Sequence, residues 1–262
     1  MTLPAYLSWQ AAIPVLHQAA QILNAARLAS LDPLPNALRH SLRPIPNGAT
    51  TDALKEHIVL TLDYPQGTIL VAQEDGAEIL RVNLNAHTQD SLSKTVFSGL
   101  AQAGYDLKPN SSKLTGANRF DLDLTQGQIY ADVQWRMFQT LAALKASMYG
   151  PQNPLVLWPH GFDLSTLWFV EGMDEGRDPH LNFGFSPGTP DIGQPYVYFY
   201  AVPALNDLRD QIPDLFTWAT GWHSPGGYIP YDRFANESLP EQLLLDALLD
   251  VYRMASARLM AA

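Results

Sequence analysis

Three tyrosines at every second position, Tyr196, Tyr198 and Tyr200, interleave with Val197, Phe199 and Ala201. Side chains alternate across a β-strand, so this period of two predicts an extended segment with one phenolic and one apolar face. A second run repeats the pattern, Leu181, Phe183 and Phe185 alternating with Asn182, Gly184 and Ser186. If both apolar faces point into one core, the tyrosines share the opposite side with Asn182, Gly184 and Ser186. That side carries hydroxyls, an amide and, at Gly184, a place where a ligand or another backbone can approach closely. The competing expectation is an amphipathic outer face covered by a helix, each phenol hydrogen-bonded locally.

Both runs belong to the stretch from Pro154 to Pro203, which reads as four strands near 155–158, 164–170, 181–185 and 195–202. A Pro159-His160-Gly161-Phe162 turn, a polar loop and a Gly/Pro-rich loop join them. These connections are too short for parallel crossovers, so the strands are expected to run antiparallel. Upstream, Trp9, Ile13, Leu16, Ala20 and Leu23 recur at helical spacing as far as about Ser30. Four prolines between Asp32 and Thr51 predict an extended connection with one short strand, and its Arg39, His40 and Arg43 read as solvated loop charges. From Lys55 to Leu84 the period is two again, a three-stranded meander, followed by a helix from about Thr88 to Gly104. Ile129, Val133, Met137, Leu141, Leu144 and Met148 then hold one stripe of a long helix.

Beyond Pro203 the sequence predicts a modest helix, a Gly-rich loop at Trp218–Gly227, a short edge strand at Tyr228–Tyr231 and a final amphipathic helix capped by Ser238. The fold class expected is α+β, with antiparallel meander sheets packed against a long central helix and terminal amphipathic helices. A single domain is expected over 1–262: helix and meander to 125, central helix 126–150, aromatic strands 154–203, loop and helix 204–262.

Charge removes some functions. With 26 acidic and 16 basic residues the net charge is −10, which repels polyanions, so nucleic acid is not an expected partner. The absence of cysteine removes thiol catalysis and Cys-ligated metal sites. No apolar run approaches the roughly 20 residues of a membrane span, and MTLPAYLSWQ lacks the layout of a signal peptide, which predicts a cytoplasmic protein with no membrane partner. Oligomeric state is not encoded in any of these features.

Two motifs suggest chemistry. Gly184-Phe185-Ser186-Pro187-Gly188 matches G-x-S-x-G, with Asp207, Asp210, Asp214 and then His223 in the chain order of an α/β-hydrolase. In such an elbow the N–H after the nucleophile helps bind the oxyanion, and Pro187 has none, so Ser186 is not expected to be a nucleophile. His160 and Asp163 with His180 or His223 could in principle ligate a metal, but a turn in which Asp163 bonds backbone N–H groups explains the same residues. No metal and no cofactor is expected.

The segments LWPHGFDLSTLWF, NFGFSPGTPDIGQPYVYFYAVP and TGWHSPGGYIPYDRF, with LSWQ…LHQAAQILNAARLA upstream, carry a wider likeness. They resemble a family of uncharacterised bacterial proteins with a tryptophan-rich domain of unknown function, marked by W-P-x-x-F-D-L, G-x-S-P-G, E-P-Y-x-Y and L-P-Y segments. The matching positions are Trp158, Pro159, Phe162, Asp163, Leu164, Gly184, Ser186, Pro187, Gly188, Pro195, Tyr196, Tyr198, Pro230 and Tyr231, while Gln194 stands where the family often has Glu. The resemblance implies a fold and the location of a site without implying a reaction.

Two functions follow as expectations. One is small-molecule binding in an aromatic cleft built from 158–163, 182–188, 196–200 and 218–228, contacted by Trp158, Asp163, Asn182, Ser186, Tyr196, Tyr198, Tyr200 and Trp222. The other is an enzyme using Asp163 with His160 or His223 as acid/base groups or metal ligands in that cleft.

Overall fold

The computed structural model describes residues 1–261. Its contacts divide the chain into two compact units, one of Leu7–Trp135 with Leu157–Phe162, the other of Met1–Tyr6, Arg136–Val156 and Asp163–Ala262. The architecture is α+β, as the periodicities predict.

The first unit opens with helix α1 (Ala12–Ser30), whose Pro14 sits in the first turn, where its missing N–H costs no helical bond. Leu16, Ala20, Ile22, Leu23 and Ala26 are fully buried, a stripe rich in small residues. Arg27 is buried with them. Its guanidinium donates to the carbonyls of Arg39 and Leu38, each at 3.1 Å, and to that of Thr51, with Asp52 at 3.9 Å. One side chain thus ties down the Pro-rich segment the sequence leaves without a core pattern. That segment holds a 3-10 turn (Pro35–His40) and two short strands, β1 (Arg43–Ile45) and β2 (Gly48–Thr50), rather than one. They add to β3 (Ile58–Asp63), β4 (Thr68–Gln73) and β5 (Glu78–Asn83) in an antiparallel sheet of order β1-β2-β3-β4-β5.

Helix α2 (Gln89–Gln102) starts at a capping box in which Thr88 accepts from the Ser91 N–H and Ser91 accepts from the Thr88 N–H. Gly104, with φ +96°, follows its end. The long helix α3 (Leu124–Ser147) contributes its first part to this unit. There Gly127 matters, because a Cβ would lie 2.5 Å from the carbonyl oxygen of Tyr64. The close approach brings Tyr130 against Trp9 and Tyr64, at ring-centroid distances of 5.3 and 5.7 Å, and Phe162 joins the cluster at 5.7 Å from Tyr130.

Strand β6 (Val156–Trp158) is where the chain passes from the second unit into the Leu157–Phe162 segment of the first. The second unit is built on strands that neighbour one another in the order β10-β11-β9-β8-β7: β7 (Asp163–Phe169), β8 (His180–Ser186), β9 (Tyr196–Val202), β10 (Thr217–Ala219) and β11 (Gly226–Pro230). Leu181, Phe183 and Phe185 lie opposite Trp168, Thr166 and Leu164 on β7 and Ala201, Phe199 and Val197 on β9, giving one apolar face. Helix α4 (Pro240–Ala261) packs there, with Tyr252 meeting Trp168 edge-on at 5.5 Å.

Two expectations are corrected in this unit. After Pro203 only a 3-10 turn forms at Asn206–Asp210, since prolines 203 and 213 leave too little chain for a regular helix. The segment expected as an edge strand is β11, which is internal, paired with β9 on one side and β10 on the other. Gly226 explains why: a Cβ there would lie 2.0 Å from the Phe199 carbonyl, so this glycine serves strand pairing rather than hinging a loop.

Candidate functional site

The register of β8 on β9 pairs Asn182 with Tyr200, Gly184 with Tyr198 and Ser186 with Tyr196, so the three tyrosines do share a face with these small and polar residues. Asp163 and Ser165 of β7 and Tyr228 of β11 fall on the same side by register and parity.

This face is closed. Tyr196 and Tyr198 are 5% and 8% exposed, and Asn182 and Ser186 are also buried. Trp222, at the tip between β10 and β11, lies over it with its ring centroid 6.0 Å from both Tyr196 and Tyr198 and 5.9 Å from Tyr228. Trp222 itself is half-exposed, so the aromatic stack runs from the buried sheet to solvent.

Within the stack the polar groups are ordered by specific bonds. The Tyr198 hydroxyl donates to Asp163 Oδ2 at 2.6 Å, a short charge-assisted contact. Burial pushes the Tyr198 phenol well above its ordinary value, and the neighbouring Asp163 carboxylate raises it further by disfavouring a phenolate. Asn182 Nδ2 donates to the Tyr200 oxygen at 2.7 Å, leaving the Tyr200 O–H to donate elsewhere. Tyr200 is raised by burial, against the Asn182 bond, which favours the phenolate. Tyr196 is likewise raised by burial, opposed by hydrogen bonds from Ser186 and Thr189. Ser186 Oγ accepts from the Gly188 N–H at 3.2 Å, the local turn bond of a strand-end serine, and β9 rather than a helix follows it.

One polar atom is left over. Asn182 Oδ1 is buried and has no hydrogen-bond partner among the described residues. Turning the amide would exchange oxygen for nitrogen, but one of the two atoms would still be unmatched.

The anticipated residues fall into two groups. Asp163, Asn182, Ser186, Tyr196, Tyr198, Tyr200 and Trp222 all belong to the second unit, the first six on one face of its sheet and Trp222 over it. His223, next to Trp222, is exposed. Trp158 and His160 belong to the first unit, in the turn that ends at Phe162, where the Phe162 N–H donates to the Trp158 carbonyl at 2.7 Å. Phe162 has φ +58°, a left-handed conformation unusual for so bulky a residue, and its ring stacks on His17 at 5.4 Å. The His17 Nε2 bonds the Pro159 carbonyl at 2.9 Å, so His17 anchors the turn. The sequence gives no cue to this role, since His17 lies 142 positions from its partner.

No group of three or more His, Asp or Glu side chains capable of holding a metal occurs among the described residues, and no described helix is long and apolar enough to cross a membrane. The model of a family of unknown function, DUF5996, matches residues 2–260, and the chain belongs to that family. Comparison with curated proteins and with solved structures gave no match.

Proposed function

We propose that this DUF5996 protein binds a small, uncharged or weakly polar molecule at the tyrosine face of its second unit. The observation that carries the reading is the buried, unmatched amide atom of Asn182 beside a Tyr200 hydroxyl that still has its proton to donate. An unsatisfied buried polar group costs on the order of 1–3 kcal/mol, and a ligand offering a complementary donor and acceptor would recover it. Trp222 supplies the aromatic surface, and its half-exposed ring is the element that a ligand would displace or stack upon.

An acid–base enzyme built on Asp163 with His223, both of the second unit, is the second reading, supported by the orientation that the Tyr198 bond gives to the Asp163 carboxylate. Binding is the better-supported reading, because that same bond occupies Asp163 Oδ2 and His223 is exposed.

The test is a ligand-observed NMR screen of small polar aromatics and amides against the wild-type chain and against Asn182→Leu and Trp222→Ala. Hits that disappear in both variants support the reading. Hits that bind all three chains equally would remove it.

A further inference from the structure

A second concavity lies wholly within the first unit. It encloses about 490 Å³ and is lined by Gln21, Asn24, Ala25 and Leu28 of α1, by His40 closing the Pro-rich turn, by Asn110, Lys113 and Leu114, and by His160. Three features set it apart. In a chain of net charge −10, none of the described residues lining it is acidic, while His40, His160 and Lys113 all are potential cations. Asn24 Oδ1 is buried without a hydrogen-bond partner among the described residues. Ala25, Leu28 and Leu114 give an apolar wall.

From this arrangement we infer that the cavity is a binding site for a small organic anion, its phosphate or carboxylate held by His40, His160 and Lys113 and its hydrogen-bonding body facing Asn24. This site and the tyrosine face are built from different residues, and neither reading depends on the other.

The electrostatics agree with the geometry. Burial, with the positive charges of Arg39, His160 and Lys113, holds His40 below its ordinary value, so these surroundings disfavour a further proton there. An anion reverses the sign of that field. Bound anion and His40 protonation therefore support each other, and each must raise the affinity of the other. Gln21 is fixed at the cavity wall, its Oε1 accepting from Gln89 Nε2 at 2.7 Å, and Asn110 Oδ1 accepts from the Ser112 N–H at 3.1 Å, which orients the turn bearing Lys113.

Titration of the histidine-labelled protein with inorganic phosphate and, separately, with acetate, followed by NMR of the imidazoles, tests the site. Saturable shifts of His40 and His160 with either probe are expected, together with a rise in the His40 titration midpoint; the tighter probe identifies the anion class. His40→Ala and Lys113→Ala should each weaken binding at least tenfold, about 1.4 kcal/mol. Lys108→Ala, an exposed cation paired with Asp106 and absent from the lining, should leave it unchanged, as should Tyr198→Phe. Failure of both probes to saturate in the millimolar range overturns the inference. So does binding that Lys108→Ala weakens as much as Lys113→Ala, which would mark non-specific attraction to surface cations.

Discussion

A Cβ built on Gly184 would lie 2.4 Å from Cζ of Tyr198 and 2.5 Å from its hydroxyl oxygen. The gap that glycine leaves in β8 is filled by the phenol ring of the neighbouring strand. This seats Tyr198 flat enough on the sheet for its hydroxyl to reach Asp163 on β7, one strand further away. Gly184→Ala should therefore displace the ring and break the bond to Asp163. Overpacking of this kind costs about 1–3 kcal/mol, and the backbone carbonyl of Leu164, also 2.5 Å from the added methyl, leaves little room to relax. Chemical denaturation should show the loss, and Gly184→Ala combined with Tyr198→Ala should recover part of it. An alanine variant as stable as wild type would refute this packing.

Ser186 tests the hydrolase-like motif. Its Oγ accepts a turn bond from Gly188, and the residue after it is a proline with no N–H to offer an oxyanion. Ser186→Ala should cost about 1–3 kcal/mol in stability, since it removes both the turn bond and the bond to Tyr196. A fluorophosphonate probe should leave Ser186 unlabelled in the wild-type chain, as read by intact-protein mass spectrometry. Stoichiometric labelling there would reinstate the nucleophile.

Arg27 is the strongest stability prediction. Replacing it by Met keeps the aliphatic stem but abandons the carbonyls of Leu38, Arg39 and Thr51. Breaking a buried charged network by removing one partner costs about 3–5 kcal/mol, and the exposed side of Asp52 reduces this toward the lower end. Proteolysis should reveal early cleavage between Asp32 and Asp52 in Arg27→Met. Unchanged protease resistance would show that the Pro-rich segment holds itself in place.

Much of this architecture is legible in the chain. Tyr196, Tyr198 and Tyr200 announce a strand with a phenolic face because side-chain parity is a local property, and the same parity carries Asn182 and Ser186 to that face. The helix expected from about Thr88 with its stop at Gly104 is equally local. What stayed hidden depends on long-range contacts. Arg27 looks like one more polar position on α1 until the carbonyls it serves are brought near, and His17 acquires its partner across 142 positions. His40 reads as a solvated loop charge and Lys113 carries no signal of its own, because only the fold sets them around one cavity with His160. The internal place of β11 was likewise invisible, since a strand's neighbours are fixed by pairing rather than by its own residues.

Tyr64 offers a test in the opposite direction, a substitution that should stabilise. Its ring is fully buried between Tyr130 and Phe162, and its hydroxyl has no hydrogen-bond partner among the described residues. Folding therefore strips water from this hydroxyl without replacing it, which Tyr64→Phe avoids while keeping the ring. A gain of about 1 kcal/mol is expected, read as a higher thermal midpoint. The same site predicts alkaline behaviour. Burial raises the Tyr64 phenol well above its ordinary value, with Tyr130 adding to the effect. A raised folded value means that the unfolded chain releases its proton first. The stability held below about pH 10, the ordinary value for tyrosine, is then lost as pH rises toward the folded value. Tyr64→Phe should flatten that decline, in proportion to the one proton removed from the linkage. If the variant is instead less stable at neutral pH and falls as steeply in alkali, the Tyr64 hydroxyl has a bonding partner and the cluster is not the dry aromatic core described above.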